Sequence, residues 1–287
     1  MDEVVVTGAR AGPGMWHVSR GNAQLWVLGS LSPLPQGITW RSQQVESVLD
    51  FTTQVLVQKP LDIGIARVLW LFITERSLLM AHGGKLKDVL PAGLYARFAA
   101  LRAKYSDDPR KWERYRPIIA AAFLQQAAFH RVGLSTRLDL GAAVRILAKK
   151  HHVRIEEVKI AGVSDVLEAL KNLPPGAENT CVEGSLATTE SGLPRLVERA
   201  QAWASGNVER LQALPEPPGI DACRAALDAG VGAADLIALA GRTWLDTLLK
   251  YLQRGGVTLA VVNIDLLLGR GGLLDQLHAR GYDVVAQ

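Results

Sequence analysis

The sequence predicts an α/β fold, in which short buried strands are separated by long helical segments. Residues 25–28 and 257–262 are continuous apolar runs only a few residues long, as is typical of buried strands. Most of the chain between them has apolar residues at helical spacing. Open α/β sheets usually place their binding sites where such strands end. We therefore expect any site to lie at the ends of these two runs.

The end of the first run has the residues of a site floor. Gly29 follows Leu28 and permits a close backbone approach that a side chain would block. Ser30 and Ser32 add hydroxyl groups, and Pro33 ends the strand because proline cannot donate to a sheet ladder. We expect Gly29 to Ser32 to form part of the floor.

Composition excludes several classes of protein. Apolar residues make up 48% of the 287 residues and the net charge is +4, as in an ordinary folded globular protein. No apolar run approaches the ~20 residues of a membrane span. The densest basic cluster, at Arg110, Lys111, Arg114 and Arg116, is interpreted as a solvated helix face rather than a phosphate site. We expect no nucleic-acid partner.

The remaining elements follow from apolar periodicity and from turn residues. A hairpin is predicted from residues 16–18 and 24–28, with its turn at 20–22. The other strands are predicted at residues 3–7, 55–57, 154–160 and 281–285. Helices are predicted at residues 42–52, 65–80, 91–105, 112–131, 140–151, 164–172, 181–205, 233–254 and 271–280, with Asp139 and Asp221 as N-caps. Residues 65–80 are apolar on nearly every side, which predicts deep burial.

Domain organisation is predicted from the interruptions. Pro174-Pro175-Gly176 is the clearest break, and we interpret it as a loop rather than a flexible linker. The chain is therefore predicted to form a single domain over residues 1–287, with halves at 1–173 and 177–287.

A family resemblance emerges from both ends of the chain. Gly29-Ser30-Leu31-Ser32 after a strand resembles the Gly-x-x-His signature of the TraB/GumN family, which includes the Tiki-type metal-dependent proteases. The final strand, loop, helix and Gly281-Tyr282 strand also resemble that family. The resemblance covers residues 16–285. It implies a mixed central sheet flanked by many helices, as in TraB, the erythromycin esterases and the ChaN-like haem-binding proteins.

The resemblance also implies where site residues would lie, and the chain departs from it there. Ser32 stands at the place of the first family histidine. Leu266 stands at the place of the second, and Asn263 at the place of its glycine. Gln58 follows the strand at 55–57, after which the family carries an acidic residue.

Three further residues are assigned by the same resemblance. Glu183 or Glu190 matches the family glutamate, and Glu183 is favoured because the residues before it resemble a strand-to-helix junction. The alternative for both is a surface acid in the first turn of a helix. Arg242 matches an arginine of the family in the helix at 233–254.

These departures predict a non-catalytic descendant of the family. A catalytic metal needs about three protein ligands and an open position, whereas serine and glutamine are poor ligands and leucine is none. We expect no metal, no cofactor and a retained cleft that binds an unknown peptide or small ligand. The residues predicted to line this cleft are Gly29, Ser30, Ser32, Glu183, Glu190, Arg242, Asn263, Asp265 and Leu266.

Two other functions stay open. One is an active hydrolase or metal-dependent peptidase with a rearranged site, in which Ser32 acts as nucleophile, although no histidine is assigned as its base. The other is a binding or scaffold protein with a cleft lined by Trp26, Trp40 and Trp244.

Location and redox state are linked through the resemblance to exported bacterial proteins. Residues 1–7 show no signal-peptide pattern. We expect a periplasmic or secreted protein if a signal peptide has been removed, and otherwise a cytoplasmic one. Cys181 and Cys223 are then predicted to pair in the exported protein, with two buried thiols as the alternative.

Overall fold

The computed structural model describes residues 12–36, 42–60, 70, 74–81, 84–136, 138–174, 176–214, 222–223, 226, 233–268 and 271–287, with the backbone alone for 233–237. The strands are β1 (Met15–Arg20), β2 (Ala23–Ser30), β3 (Leu34–Pro35), β4 (Gln54–Gln58), β5 (Leu134–Ser135), β6 (Arg154–Val158), β7 (Gly256–Asn263) and β8 (Asp283–Ala286). The described α-helices are α1 (Gln43–Leu49), α2 (Arg76–Leu79), α3 (Leu86–Val89), α4 (Ala92–Tyr105), α5 (Pro117–Arg131), α6 (Leu140–Lys150), α7 (Val163–Lys171), α8 (Ala177–Ala187), α9 (Leu193–Ala204), α10 (Val208–Ala213), α11 (Ala233–Arg254), α12 (Ile264–Leu267) and α13 (Leu273–His278). A π-helical segment, Thr188–Gly192, joins α8 to α9.

A six-stranded mixed sheet lies at the centre of the described structure, in the order β6-β4-β7-β2-β1-β8. β6, β4, β7 and β2 run parallel, whereas β1 is antiparallel to both β2 and β8. The predicted α/β class, with a mixed sheet flanked by helices, is therefore confirmed. The sheet takes strands from both halves of the sequence, and the single domain stays a prediction.

The two apolar runs that predicted the sheet are neighbouring strands. β2 pairs with β7 in parallel, with Gly29 opposite Val262 and Ser30 opposite Asn263. The prediction that these runs lie side by side is confirmed. Because β1 and β8 are joined to β2 in turn, the start of β1 and the end of β8 lie at the same side of the sheet. We call this side, where β2 and β7 end, the carboxyl edge.

Apolar side chains form two clusters. The larger one surrounds the sheet and includes residues of α9, α11 and α13. The second, which we call the helical cluster, is built by α3, α4, α5 and α8. Its core includes Phe98, Leu124 and Val182, and Ala120 and Ala121 of α5 are fully buried within it. The small alanines let neighbouring helices approach closely.

Most other predicted elements agree with the structure within one or two residues. The predicted hairpin joins β1 to β2, and Gly21 takes a positive φ of 59° in its turn. The Asp139 carboxylate accepts from the Gly141 N–H at 2.8 Å, as expected for the N-cap of α6. Within the described residues, none of the helices is both long and apolar enough to cross a membrane.

The prediction of a deeply buried helix at residues 65–80 is wrong for the part that is described. Trp70 is 53% exposed, and α2 has no buried residue. The helical path is interrupted at Glu75, whose backbone is not helical, so this part has no single long buried face. Residues 61–69 and 71–73 lie outside the described structure, as do the predicted strand at 3–7 and the predicted cap Asp221.

Two predicted helix starts are also wrong. Residues 112–115 form a turn and a β-bridge, and α5 begins at Pro117 because the residue before a proline is driven to extended backbone. Cys181 does not begin a helix, since α8 starts at Ala177 after Gly176. Glu183 therefore lies inside a helix and not at a strand-to-helix junction.

A disulfide bond links Cys181 of α8 to Cys223, with their Cα atoms 4.4 Å apart. The pairing implied by the resemblance is confirmed. The bond ties the helical cluster to a segment that lies 42 residues further along the chain.

Replacing both cysteines by alanine will lower the free energy of unfolding by about 2–4 kcal/mol, because the cross-link restricts the unfolded chain. Urea denaturation of the variant and the oxidised wild type measures this difference. Reduced wild type, whose thiols remain in place, is the matched control for lost packing. Equal stability of the oxidised and reduced wild type would contradict the prediction.

Candidate functional site

Gly29 is the central residue of the carboxyl edge. Its N–H donates to the Gly14 carbonyl at 3.0 Å, and its carbonyl accepts from the buried Trp203 indole N–H at 2.8 Å. A Cβ at this position would lie 3.0 Å from Ile264 Cδ1 and 3.2 Å from Trp16 Cζ3. Close packing on both sides therefore leaves little room for a side chain here, and the floor predicted from sequence is held between β1, α9 and α12.

The end of β7 is closed by an N-cap. The Asn263 side-chain oxygen accepts from the Asp265 N–H at 2.8 Å and so starts the short helix α12. Leu266, one residue further on, is partly buried against the main apolar cluster. At the two positions where the resemblance has a glycine and a histidine, this chain has a cap and a packing residue.

Asp265 forms an ion pair with a buried arginine. Arg199 Nη2 donates to Asp265 Oδ1 at 2.7 Å, and Arg199 Nη1 donates to the Leu214 carbonyl at 3.4 Å. The Arg199 side chain is 10% exposed and that of Asp265 is 48% exposed. Both residues line a small cavity of about 230 Å³ at the carboxyl edge. A guanidinium group therefore supplies fixed positive charge beside the end of β7.

A larger groove, which we call the edge groove, adjoins this cavity and has a volume of about 1070 Å³. The two share Gln212 and Leu268. The edge groove combines an apolar base with polar residues and two acids; its lining includes Trp16, Val208, Leu267, Leu274, Val284, Ala286, Ser205, Asn207, Glu209, Gln212 and Asp275. Such a mixture of apolar surface and a few polar groups is typical of binding sites.

The two predicted glutamates form ion pairs with a helix and not with the ends of β2 and β7. Glu183 and Glu190 both pair with Arg97 of α4, at 3.3 and 2.8 Å. Hydrogen bonding to Glu190, with its charge and that of Glu183, raises the pKa of Arg97 despite partial burial. Glu190 lies in the π-helical segment, a rare conformation that is frequent at functional sites. Their role in the cleft stays a prediction.

The other predicted residues are spread over the structure. Ser30 is half-buried at the end of β2, whereas Ser32 is exposed beyond it. Arg242 is exposed on α11. Trp244 is fully buried and does not line an open cleft, so the predicted tryptophan cleft is wrong for this residue. Trp26 packs against His17 at 4.7 Å between ring centroids, and Trp40 lies outside the described residues.

Sequence reasoning missed Arg199 and the groove residues of α10. A signal for Arg199 was present, because it precedes the buried Trp203 by one helical turn and so shares its face of α9. The residues Glu209 and Gln212 gave no such signal, since they are ordinary exposed residues of a short helix.

The donor set at the carboxyl edge does not fit a divalent cation. The carboxylate of the turn that follows β7, Asp265, is already paired with Arg199, and a fixed guanidinium repels a metal ion. Ser32 and Gln58 are neutral, and Leu266 offers no donor atom. Within the described part of the chain, no three His, Cys, Asp or Glu residues lie close enough to hold a metal ion.

The ion pair predicts an asymmetry between two substitutions. Asp265→Ala will destabilise the protein by about 1–3 kcal/mol, because it leaves the buried Arg199 charge without its partner. Arg199→Met will cost less, since the half-exposed Asp265 carboxylate regains water and methionine keeps most of the apolar contacts. Urea denaturation of both variants measures the two values. A larger loss for Arg199→Met would contradict the geometry.

Comparison with known proteins extends the likeness over nearly the whole chain. The model of the TraB/PrgY/gumN family matches residues 14–286. Neither the curated proteins nor the solved structures give a match. The matched segment includes every strand of the six-stranded sheet and the residues of the edge groove up to Ala286. The chain therefore belongs to the TraB/PrgY/gumN family.

Proposed function

We propose that this chain is a non-catalytic member of its family that binds an extended peptide in the edge groove. The observation that carries the proposal is the Arg199–Asp265 ion pair, which lies at the end of β7 beside an open groove. The pair occupies the only charged group of the Asn263–Leu266 turn. In this proposal the chain keeps a surface for binding at a place where it lacks ligands for a metal.

The size of the groove favours a peptide over a small metabolite. Sites for compact ligands have volumes of roughly 300–1000 Å³, and the edge groove is slightly larger, with about 1070 Å³. Trp16, Val208 and Leu274 offer an apolar base for side chains. The exposed amide of Gln212 suits hydrogen bonding to a peptide backbone.

The adjoining strand suits an extended ligand. β8 is the last strand of the described sheet, so one side of its backbone is unpaired there. Val284 and Ala286 of β8 line the groove, and Val285 between them is 51% exposed. Addition of a peptide strand to such an edge is a recurring mode of recognition.

Charge sets the expected sequence of the peptide. Glu209 and Asp275 line the groove, and its described lining contains no basic side chain. A peptide with a lysine or arginine next to apolar residues is therefore favoured by electrostatic complementarity.

The hydrolase alternative lacks support from the contacts. Among the described residues no hydrogen bond joins Ser30 or Ser32 to a histidine, and nucleophilic serine needs such a base. The metal-dependent peptidase alternative also lacks support, because the Asp265 carboxylate that could bind a metal is already paired with Arg199.

Selection from a displayed library of random peptides tests this proposal with the whole chain. We expect enrichment of basic, apolar peptides that bind one per chain by calorimetry and are recovered uncleaved by mass spectrometry. Glu209→Lys will weaken binding, because it reverses charge in the groove. Asp246→Lys, at an exposed acid of α11 that does not line the groove, is the matched control and will leave binding unchanged. Cleavage of the peptides, or no enrichment at all, would contradict the proposal.

A further inference from the structure

A third cavity lies in the helical cluster, away from the edge groove, and is independent of the function proposed above. It has a volume of about 600 Å³, within the range of roughly 300–1000 Å³ for small-molecule sites. The cavity lies between the turn that precedes α5 and the segment around α3. Its lining includes Lys85, Lys87, Arg110, Trp112, Glu113 and Arg114.

The positive charge of this cavity is concentrated at its mouth. Lys85, Lys87, Arg110 and Arg114 all line it and are all exposed. The interpretation of Arg110, Lys111, Arg114 and Arg116 as a solvated helix face is wrong, since residues 110–114 form a turn. The Arg116 side chain, by contrast, forms an ion pair with Glu178, with 2.9 Å between Nε and Oε1. Four lysine and arginine side chains around one opening favour an anion such as a phosphate.

Glu113 brings an unpaired acceptor to the same cavity. Its Oε1 accepts from both the Arg102 guanidinium and the Tyr95 hydroxyl, the latter at 2.8 Å. Its Oε2 is buried without a hydrogen-bond donor among the described residues, and the Glu113 side chain is only 12% exposed. Burial and the bond to Glu113 raise the pKa of Tyr95, so this hydroxyl remains a donor. Glu113 Oε2 has almost no accessible surface, so a ligand N–H group can donate to it only after the Glu113 side chain turns towards the cavity.

Trp112 adds a planar surface held in an unusual conformation. Its φ of 68° is rare for a bulky residue, and such strain clusters at ligand sites. The Glu113 carbonyl accepts from Leu86 N–H at 2.6 Å, and the Arg114 carbonyl accepts from Ala81 N–H at 2.8 Å, which fixes the turn against α3. The half-buried ring lines the cavity, and aromatic side chains in such positions stack well on nucleobases.

We propose that this cavity binds a nucleotide whose base carries an amino group. The phosphate interacts with Lys85, Lys87, Arg110 and Arg114, and the base lies against Trp112. The Glu113 side chain turns on binding, so that its buried Oε2 accepts from the amino group. Basic side chains, an aromatic ring or an unpaired acceptor each fit many ligands when taken alone. Together in one cavity they fit a nucleotide, which carries an anionic phosphate, a flat base and an N–H donor.

Isothermal titration calorimetry of the full chain with adenosine monophosphate tests the proposal. We expect one molecule bound per chain. Purine riboside monophosphate, which lacks the amino group, will bind about tenfold or more weakly, because Glu113 Oε2 then stays unpaired. Ribose 5-phosphate and inorganic phosphate will bind more weakly still, since they cannot stack on Trp112.

Variants locate the site. Lys85→Ala combined with Arg110→Ala will weaken adenosine monophosphate binding by about tenfold or more, because two phosphate contacts are lost. Both side chains are exposed, so the melting temperature should stay unchanged. Lys149→Ala, at another exposed lysine, on α6, is the matched control and will not alter binding. Absence of binding at about 1 mM nucleotide, equal affinity for inorganic phosphate, or an unaffected double variant would overturn the proposal.

Discussion

The parallel pairing of β2 with β7 is the constraint on which the rest of the structure depends. It places Ser30 opposite Asn263, so both strands end at one level although most of the chain separates them. Helix α9 then contacts the ends of both strands. Trp203 donates to the Gly29 carbonyl in β2, and Arg199 donates to Asp265, which follows β7. These contacts are buried or partly buried, and unmade hydrogen bonds there would cost free energy. The shape of the carboxyl edge is thus maintained by packing and by two polar contacts.

Within this frame, a change of site chemistry need not change the fold. The resemblance to metal-dependent family members calls for histidines at Ser32 and Leu266, and neither is present. Leu266 packs against the core, and Arg199 provides the positive charge that neutralises Asp265. In our proposal the edge groove survives because its lining residues belong to β1, β8, α10, α12 and α13 and do not include Ser32, Gln58 or Leu266. Binding without catalysis is the function that this arrangement favours.

Local pattern was enough to predict the sheet centre, the hairpin and the glycine at the end of β2, because each depends on a few adjacent residues. The contact between Arg199 and Asp265 was not predictable in this way, since it depends on how α9 is rotated against α12. The start of α5 was predictable in principle, because Pro117 forces an extended Arg116. The pairing of Glu183 and Glu190 with Arg97 required the packing of α8 against α4, which no single segment encodes.

Metal analysis tests the central claim of this account most directly. The purified chain is dialysed in turn against zinc, manganese and cobalt, washed, and assayed for metal content and melting temperature. We expect no stoichiometric metal and no change in melting temperature, because the Asp265 carboxylate is held by Arg199 and the neighbouring positions lack donors. One tightly bound ion per chain, lost in the Asp265→Ala variant, would contradict the claim that the Arg199–Asp265 ion pair leaves no metal site at the end of β7.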